Sequence, residues 1–146
     1  MKFEHTITVG AAYATVAAFF EDVPTVAACV PGVDDFQETG PDAYRGSLKV
    51  RLGPLGFTVA GDAQVSRDDD GAFRMTGEGH DRRIGAGAIA ILQAHLAELS
   101  PESTEVRVDA DIQFSGRLAE LGQPLIRRKA DSMVRDFAKN LLQALA

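Results

Sequence analysis

Tryptophan is absent from this chain, and cysteine occurs once, at Cys29. A lone cysteine excludes an internal disulfide and offers no thiolate metal cluster; it is expected as a small buried residue in a reducing compartment. Positive charge is in deficit: 15 Lys and Arg against 21 Asp and Glu give a net charge of −6. That balance argues against general nucleic-acid binding, which leans on a basic surface. Long hydrophobic runs are missing too. The most apolar window, Ile84–Leu92, is broken by Gly85 and Gly87 and falls far short of the roughly 20 residues that span a bilayer. Met1–His5 contains no apolar stretch, so no signal peptide is expected and the cytoplasm is the expected location, with peripheral contact at the inner membrane face left open. There is no G-x-S-x-G elbow, P-loop or dinucleotide glycine pattern, and no histidine pair at metal spacing. No metal or cofactor is therefore expected, and no repeat or composition shift divides the 146 residues, which read as a single domain, 1–146.

What the chain does have is alternation. In Lys2–Val9, Phe3, His5, Ile7 and Val9 share one face and Lys2, Glu4, Thr6 and Thr8 the other, as a half-buried strand requires. Ala12–Glu21 reads as a short helix anchored by Val16, Phe19 and Phe20, stopped by Val23-Pro24, and a second helical piece runs from Pro24 to Cys29. Strands then dominate: Val33–Thr39, Tyr44–Leu52, Phe57–Val65, Phe73–His80, Ala86–Leu99 and Val106–Ser115. Turns at Gly40-Pro41-Asp42, Gly53–Gly56 and Asp68–Gly71 separate them. The strand Ala86–Leu99 is apolar on both sides, with Ile89 and Ile91 on one and Leu92 and Leu96 on the other. Cover on both faces would explain it, and a homodimer interface is one such cover.

The chain closes on Gly116–Ala146, whose apolar residues recur with the 3.6-residue helical period. Gly122 and Pro124 interrupt the pattern, which predicts one loose turn and then a continuous helix from about Pro124. At ~1.5 Å per residue this helix would reach roughly 33 Å, about the span of a ten-residue strand. The order is one strand, two short helices, six antiparallel strands with short turns, and a long helix. That is an α+β helix-grip layout: a curled antiparallel sheet of about seven strands around the C-terminal helix.

Particular residues add a resemblance. Val30-Pro31-Gly32, the run Glu38–Tyr44, Lys49-Val50 with Gly53-Pro54, Gly77-Glu78-Gly79, and Gly116–Gly122 resemble the carbon monoxide dehydrogenase G-subunit (CoxG) family of the START/Bet v 1-like (SRPBCC) superfamily. The resemblance covers most of the chain from residue 30 onward. It implies a cavity between sheet and last helix that holds a lipophilic small molecule, a quinone or similar lipid. It also implies a molybdenum-containing partner, a dehydrogenase of the carbon monoxide or xanthine type.

By strand parity, the cavity walls are expected from Phe57, Val59, Phe73, Met75, Val108, Ile112 and Phe114 on the sheet, with Met133, Phe137 and Leu141 from the helix. His5 shares the inward face and is the expected polar group. His80 should face solvent. His95 shares parity with Ile89 and Ile91, and its face is left open because that strand is apolar on both sides. Asp62, Asp109 and Asp111 lie with polar neighbours and read as solvated. Arg127-Arg128-Lys129 reads as the wet face of the helix, with docking to an acidic partner or transiently to lipid headgroups as the alternative. No nucleophile–base set assembles, so the primary reading is a non-enzymatic carrier. The alternatives are a small cyclase/dehydratase-type enzyme using His5 or His95, or an assembly factor working through its surface.

Overall fold

The computed structural model describes Met1–Ala146 throughout. Its elements run β1 (Lys2–Val9), α1 (Tyr13–Glu21), α2 (Val23–Ala28), β2 (Val33–Gly40), β3 (Ala43–Leu52), β4 (Leu55–Arg67), β5 (Phe73–Asp81), β6 (Ala86–Ser100), β7 (Ser103–Gly116), α3 (Arg117–Glu120) and α4 (Gln123–Leu145). The strands form one antiparallel sheet in the order β1-β7-β6-β5-β4-β3-β2. Consecutive strands from β2 to β7 are neighbours. Only β1 crosses over, to pair with β7 at the far edge.

Local chemistry sets the boundaries. Asp22 closes α1 and opens α2, its carboxylate accepting from the Thr25 amide at 3.3 Å; Pro24 sits in the first turn, where no amide is needed. Between α3 and α4 the chain passes through Gly122 at φ 82°, a conformation that favours glycine. The loose turn and the restart at Pro124 are thus both present. The expected turn at Gly53–Gly56 is tighter than its sequence suggests: Leu52 pairs directly with Leu55, leaving Gly53 and Pro54 alone to reverse the chain.

Packing concentrates at two ends of the concave face. At one end α1 and the C-terminal half of α4 close over the sheet: Ile7, Val9, Val16, Phe20, Ala94, Val106 and Leu141 are buried together, with Phe137 and Phe73 against them. At the other end Leu118 of α3 packs with Leu52, Phe57 and Ala86, supported by Phe114 and Leu125. Polar ties hold α4 in place. Arg127 donates to the Lys2 carbonyl at 3.1 Å, and Asn140 donates to the Cys29 carbonyl at 2.9 Å. The Cys29 thiol is buried, and burial pushes its pKa up, so it remains the inert small residue expected. Only 20 of the 146 residues are buried, few for a chain of this length.

The two-faced strand β6 resolves through its register. Met75 opposes Leu92 and Phe73 opposes Ala94 on the concave side, which places Leu92 and Leu96 inward and Ile89, Ile91 and His95 outward. Ile89 and Ile91 are exposed, and their cross-strand neighbours Glu78, Thr76, Gln113 and Asp111 are all polar.

Candidate ligand-binding site

Between the packed ends, two cross-strand rows of small residues form the floor of the concave face. One row runs Gly46, Gly61, Gly79 and Ala88 across β3, β4, β5 and β6; the next runs Tyr44, Ala63, Gly77 and Ala90. Strand alternation points all of these inward, and the lack of bulk in every one but Tyr44 leaves room above them. The result is an open groove of about 220 Å³ whose apolar lining includes Leu48, Val59, Met75 and Ala90. Glycine is demanded at Gly61, where a Cβ would collide with the Glu78 carbonyl of β5. The backbones of the two strands come close there, as glycine within a strand allows.

One wall of the groove comes from a defect in the edge strand. The β2–β3 register slips between Asp34 and Gln37, and Asp35 takes φ 51° within the slip. Phe36 stacks on Tyr44 with ring centroids 5.1 Å apart and an interplanar angle of 14°. Gly46 makes room for it, since a Cβ there would press on the Phe36 ring at 3.2 Å. Phe36 and Tyr44 both line the groove. Burial is the main cause raising the Tyr44 pKa, reinforced by the carboxylates of Glu38, Asp42 and Asp22.

The residues expected at the cavity from parity do face inward on the sheet, but they divide by position between the groove and the packed ends. Val59 and Met75 line the groove. Phe57, Phe73, Val108, Phe114, Phe137 and Leu141 instead belong to the packed ends. Ile112 stands across from Ala90 at the edge of the floor, and Met133 is half-buried on α4. Parity reports direction only; it does not register that large side chains fill space while small ones leave it. The glycine and alanine positions were the signal. Gly77 and Gly79 continue the Phe73–Met75 alternation in the sequence itself.

The histidines separate cleanly. His5 faces inward from β1, but it is engaged: its Nε2 lies 2.7 Å from Oδ1 of Asp131 on α4, and it is not part of the groove lining. By its helical position Asp131 belongs to the polar side of α4, and half of its side chain is indeed exposed. His80 is exposed as expected. His95 lies on the convex face, 3.2 Å from Asp109 and 3.9 Å from Asp70, so the cavity role left open for it is corrected. Asp109 is thereby paired rather than merely solvated, and it also lies 3.5 Å from Arg107.

One buried carboxylate has no signature in the sequence. Asp81 ends β5 where β4 diverges, and its Oδ2 accepts from the Thr58 amide at 2.8 Å and from Arg83 at 3.3 Å. The Thr58 hydrogen bond holds the carboxyl below the usual range; burial opposes this, and Arg83 adds to the lowering. It serves as a side-chain extension of the strand ladder. A wider depression of about 450 Å³ on the convex side, bounded by Asp68, Asp70, Arg74 and Gln93, has no apolar wall and does not suit a lipophilic guest.

A family model of the carbon monoxide dehydrogenase G-subunit (CoxG) matches residues 6–146. The chain belongs to this family. No curated protein matches it by sequence. Among solved structures it is similar to a conserved protein from Geobacillus kaustophilus, with a TM-score of 0.84, 17% identity, and coverage of 99% of this chain and 95% of that one. It is also similar to a START superfamily protein from Mycobacterium smegmatis, with a TM-score of 0.75, 14% identity and coverage of 99% and 96%. The Zhui aromatase/cyclase from Streptomyces sp. R1128 follows at a TM-score of 0.68, 15% identity and coverage of 99% and 93%. These likenesses establish the START/Bet v 1-like helix-grip fold.

In this CoxG-family chain two of the motifs that suggested the family reach the groove and the others set the joints of the fold. Tyr44 forms the groove's wall and Gly77 and Gly79 its floor. Val30-Pro31-Gly32 meets Lys49-Val50 directly, the Lys49 amide donating to the Gly32 carbonyl at 2.9 Å. Gly116–Gly122 forms the joint into α4.

Proposed function

We propose that this protein is a non-enzymatic carrier that holds a lipophilic small molecule, quinone- or lipid-like, against the glycine–alanine floor. The observation that carries this reading is the pair of small-residue rows, which keep a groove open between two well-packed ends. Apolar walls would supply most of the affinity and few polar groups would fix orientation. At about 220 Å³ the groove is smaller than the roughly 300–1,000 Å³ of drug-sized pockets. It suits a flat ring headgroup, with any long tail leaving through the mouth. The glycines favour a flat guest for a physical reason: without Cβ atoms the floor is a sheet of peptide planes.

Family membership supports service to a molybdenum-containing dehydrogenase of the carbon monoxide or xanthine type, with the carrier in the cytoplasm or at the inner membrane face. No helix is long and apolar enough to cross a membrane. The enzyme alternative is disfavoured by placement: His5 is engaged by Asp131 outside the groove, and His95 points away from it.

Native mass spectrometry of protein purified from its own organism, followed by organic extraction, tests the carrier reading. A bound neutral lipophile, released by solvent and absent from an Ala90→Leu variant, is the expected result. Recovery of no lipid or quinone from either protein would overturn it.

A further inference from the structure

Tyr44 is only 7% exposed, and its hydroxyl has no hydrogen-bond partner in the protein. The only fully enclosed side-chain polar atom without a hydrogen-bond partner is Nε of Arg107, which lies 3.5 Å from Asp109, so the Tyr44 hydroxyl is not sealed and can be reached from outside. The ring itself lines the groove beside Phe36. Building on the carrier reading, we propose that the Tyr44 hydroxyl is the groove's hydrogen-bond donor and selects ligands with a neutral ring carbonyl over hydrocarbons of the same shape.

The surroundings narrow the ligand chemistry further. Glu38, Asp42 and Asp22 act on Tyr44 electrostatically, and with burial they keep its phenol protonated, so it remains a donor. The same three carboxylates repel an anionic headgroup at this position. A free fatty acid is thereby disfavoured, whereas a ketone or quinone oxygen accepts the hydroxyl proton without bringing charge. Of the rest of the lining, Val59, Met75 and Ala90 grip hydrocarbon without regard to polarity, while Arg45, Ser47, Asp62 and Glu78 border the groove from positions whose side chains alternate to the convex face. Discrimination therefore rests on this one hydroxyl.

The test uses three probes of one shape, acetylnaphthalene, ethylnaphthalene and naphthoate, titrated into the wild-type protein and into Tyr44→Phe. Wild type should bind acetylnaphthalene tightest and naphthoate weakest. Tyr44→Phe should lose about three- to tenfold toward acetylnaphthalene alone, the worth of one hydrogen bond, while its melting temperature stays the same or rises. If the variant keeps the preference for acetylnaphthalene, the Tyr44 assignment is overturned and the groove survives. A melting temperature several degrees lower in the variant also overturns it, since the hydroxyl would then be serving the fold. Failure of the wild type to bind any of the three removes the groove reading itself, and this inference with it.

Discussion

The two ends of the concave face and its middle are built on the same strands, with the same inward parity, yet one is solid and the other hollow. At the ends, inward positions carry Phe57, Phe73, Val106 and Phe114, which meet helices α1, α3 and α4. In the middle they carry Gly46, Gly61, Gly77, Gly79, Ala88 and Ala90, which meet nothing of their own size. Hydrophobic burial drives the packing of the ends; stability is stored where volume is filled and, on the carrier reading proposed above, binding capacity where it is withheld. Mutations should therefore act oppositely in the two places.

The strongest contrast comes from Leu141, which is fully buried on α4. Leu141→Ala should cost about 2–5 kcal/mol of unfolding free energy by leaving a cavity, read as a lower urea midpoint. Gly61→Ala should approach that loss from the opposite direction. Its Cβ meets the Glu78 carbonyl, a backbone atom no rotamer can move, so the cost belongs at the top of the roughly 1–3 kcal/mol typical of overpacking. In the floor the sign of the outcome changes. Ala90→Leu should leave the unfolding free energy within about 1 kcal/mol of wild type, yet weaken acetylnaphthalene binding at least tenfold (about 1.4 kcal/mol) by filling the groove.

Asp81 and Asp131 sharpen the comparison by pH and by exposure. The folded Asp81 carboxyl has a lowered pKa, so it holds a proton less readily than in the unfolded chain. Its stabilisation is complete above the unfolded value of about 3.9 and is lost as pH falls through the lower folded value. Melting temperatures measured from pH 6 downward should drop less steeply for Asp81→Asn than for wild type below about pH 4. The smallest effect is expected at Asp131→Asn. Half of that side chain is exposed, so loss of its pairing with His5 should shift stability by less than about 1 kcal/mol.

Much of this architecture was legible in the sequence, for identifiable reasons. Period-two alternation located β1, β3, β4, β5 and β7, the turns on either side framed β2 and β6, and Gly122 with Pro124 located the break before α4. Other features depend on partners distant in the chain. Asp131 looks like one more polar residue on a helix surface; its pairing with His5 joins positions 126 residues apart. The orientation of His95 was hidden because β6 carries large apolar residues on both faces, Leu92 and Leu96 inward and Ile89 and Ile91 outward. The slip that frames Phe36 has no period to betray it. Asp81 ends a strand whose neighbour has already diverged, and that divergence exists only in three dimensions.

The slipped edge strand β2 also bears on how this protein behaves at high concentration. The sheet is open, so β1 and β2 each present one unpaired edge. An unpaired strand is a template on which another chain can add and begin to aggregate. On β2 the register breaks twice, at Asp34/Gln37 and at Glu38/Gly40, and the strand carries Asp34, Asp35 and Glu38. An incoming strand would find neither a continuous ladder of hydrogen-bonding groups nor a neutral surface. The irregularity that frames Phe36 beside the groove is therefore also a guard against self-association.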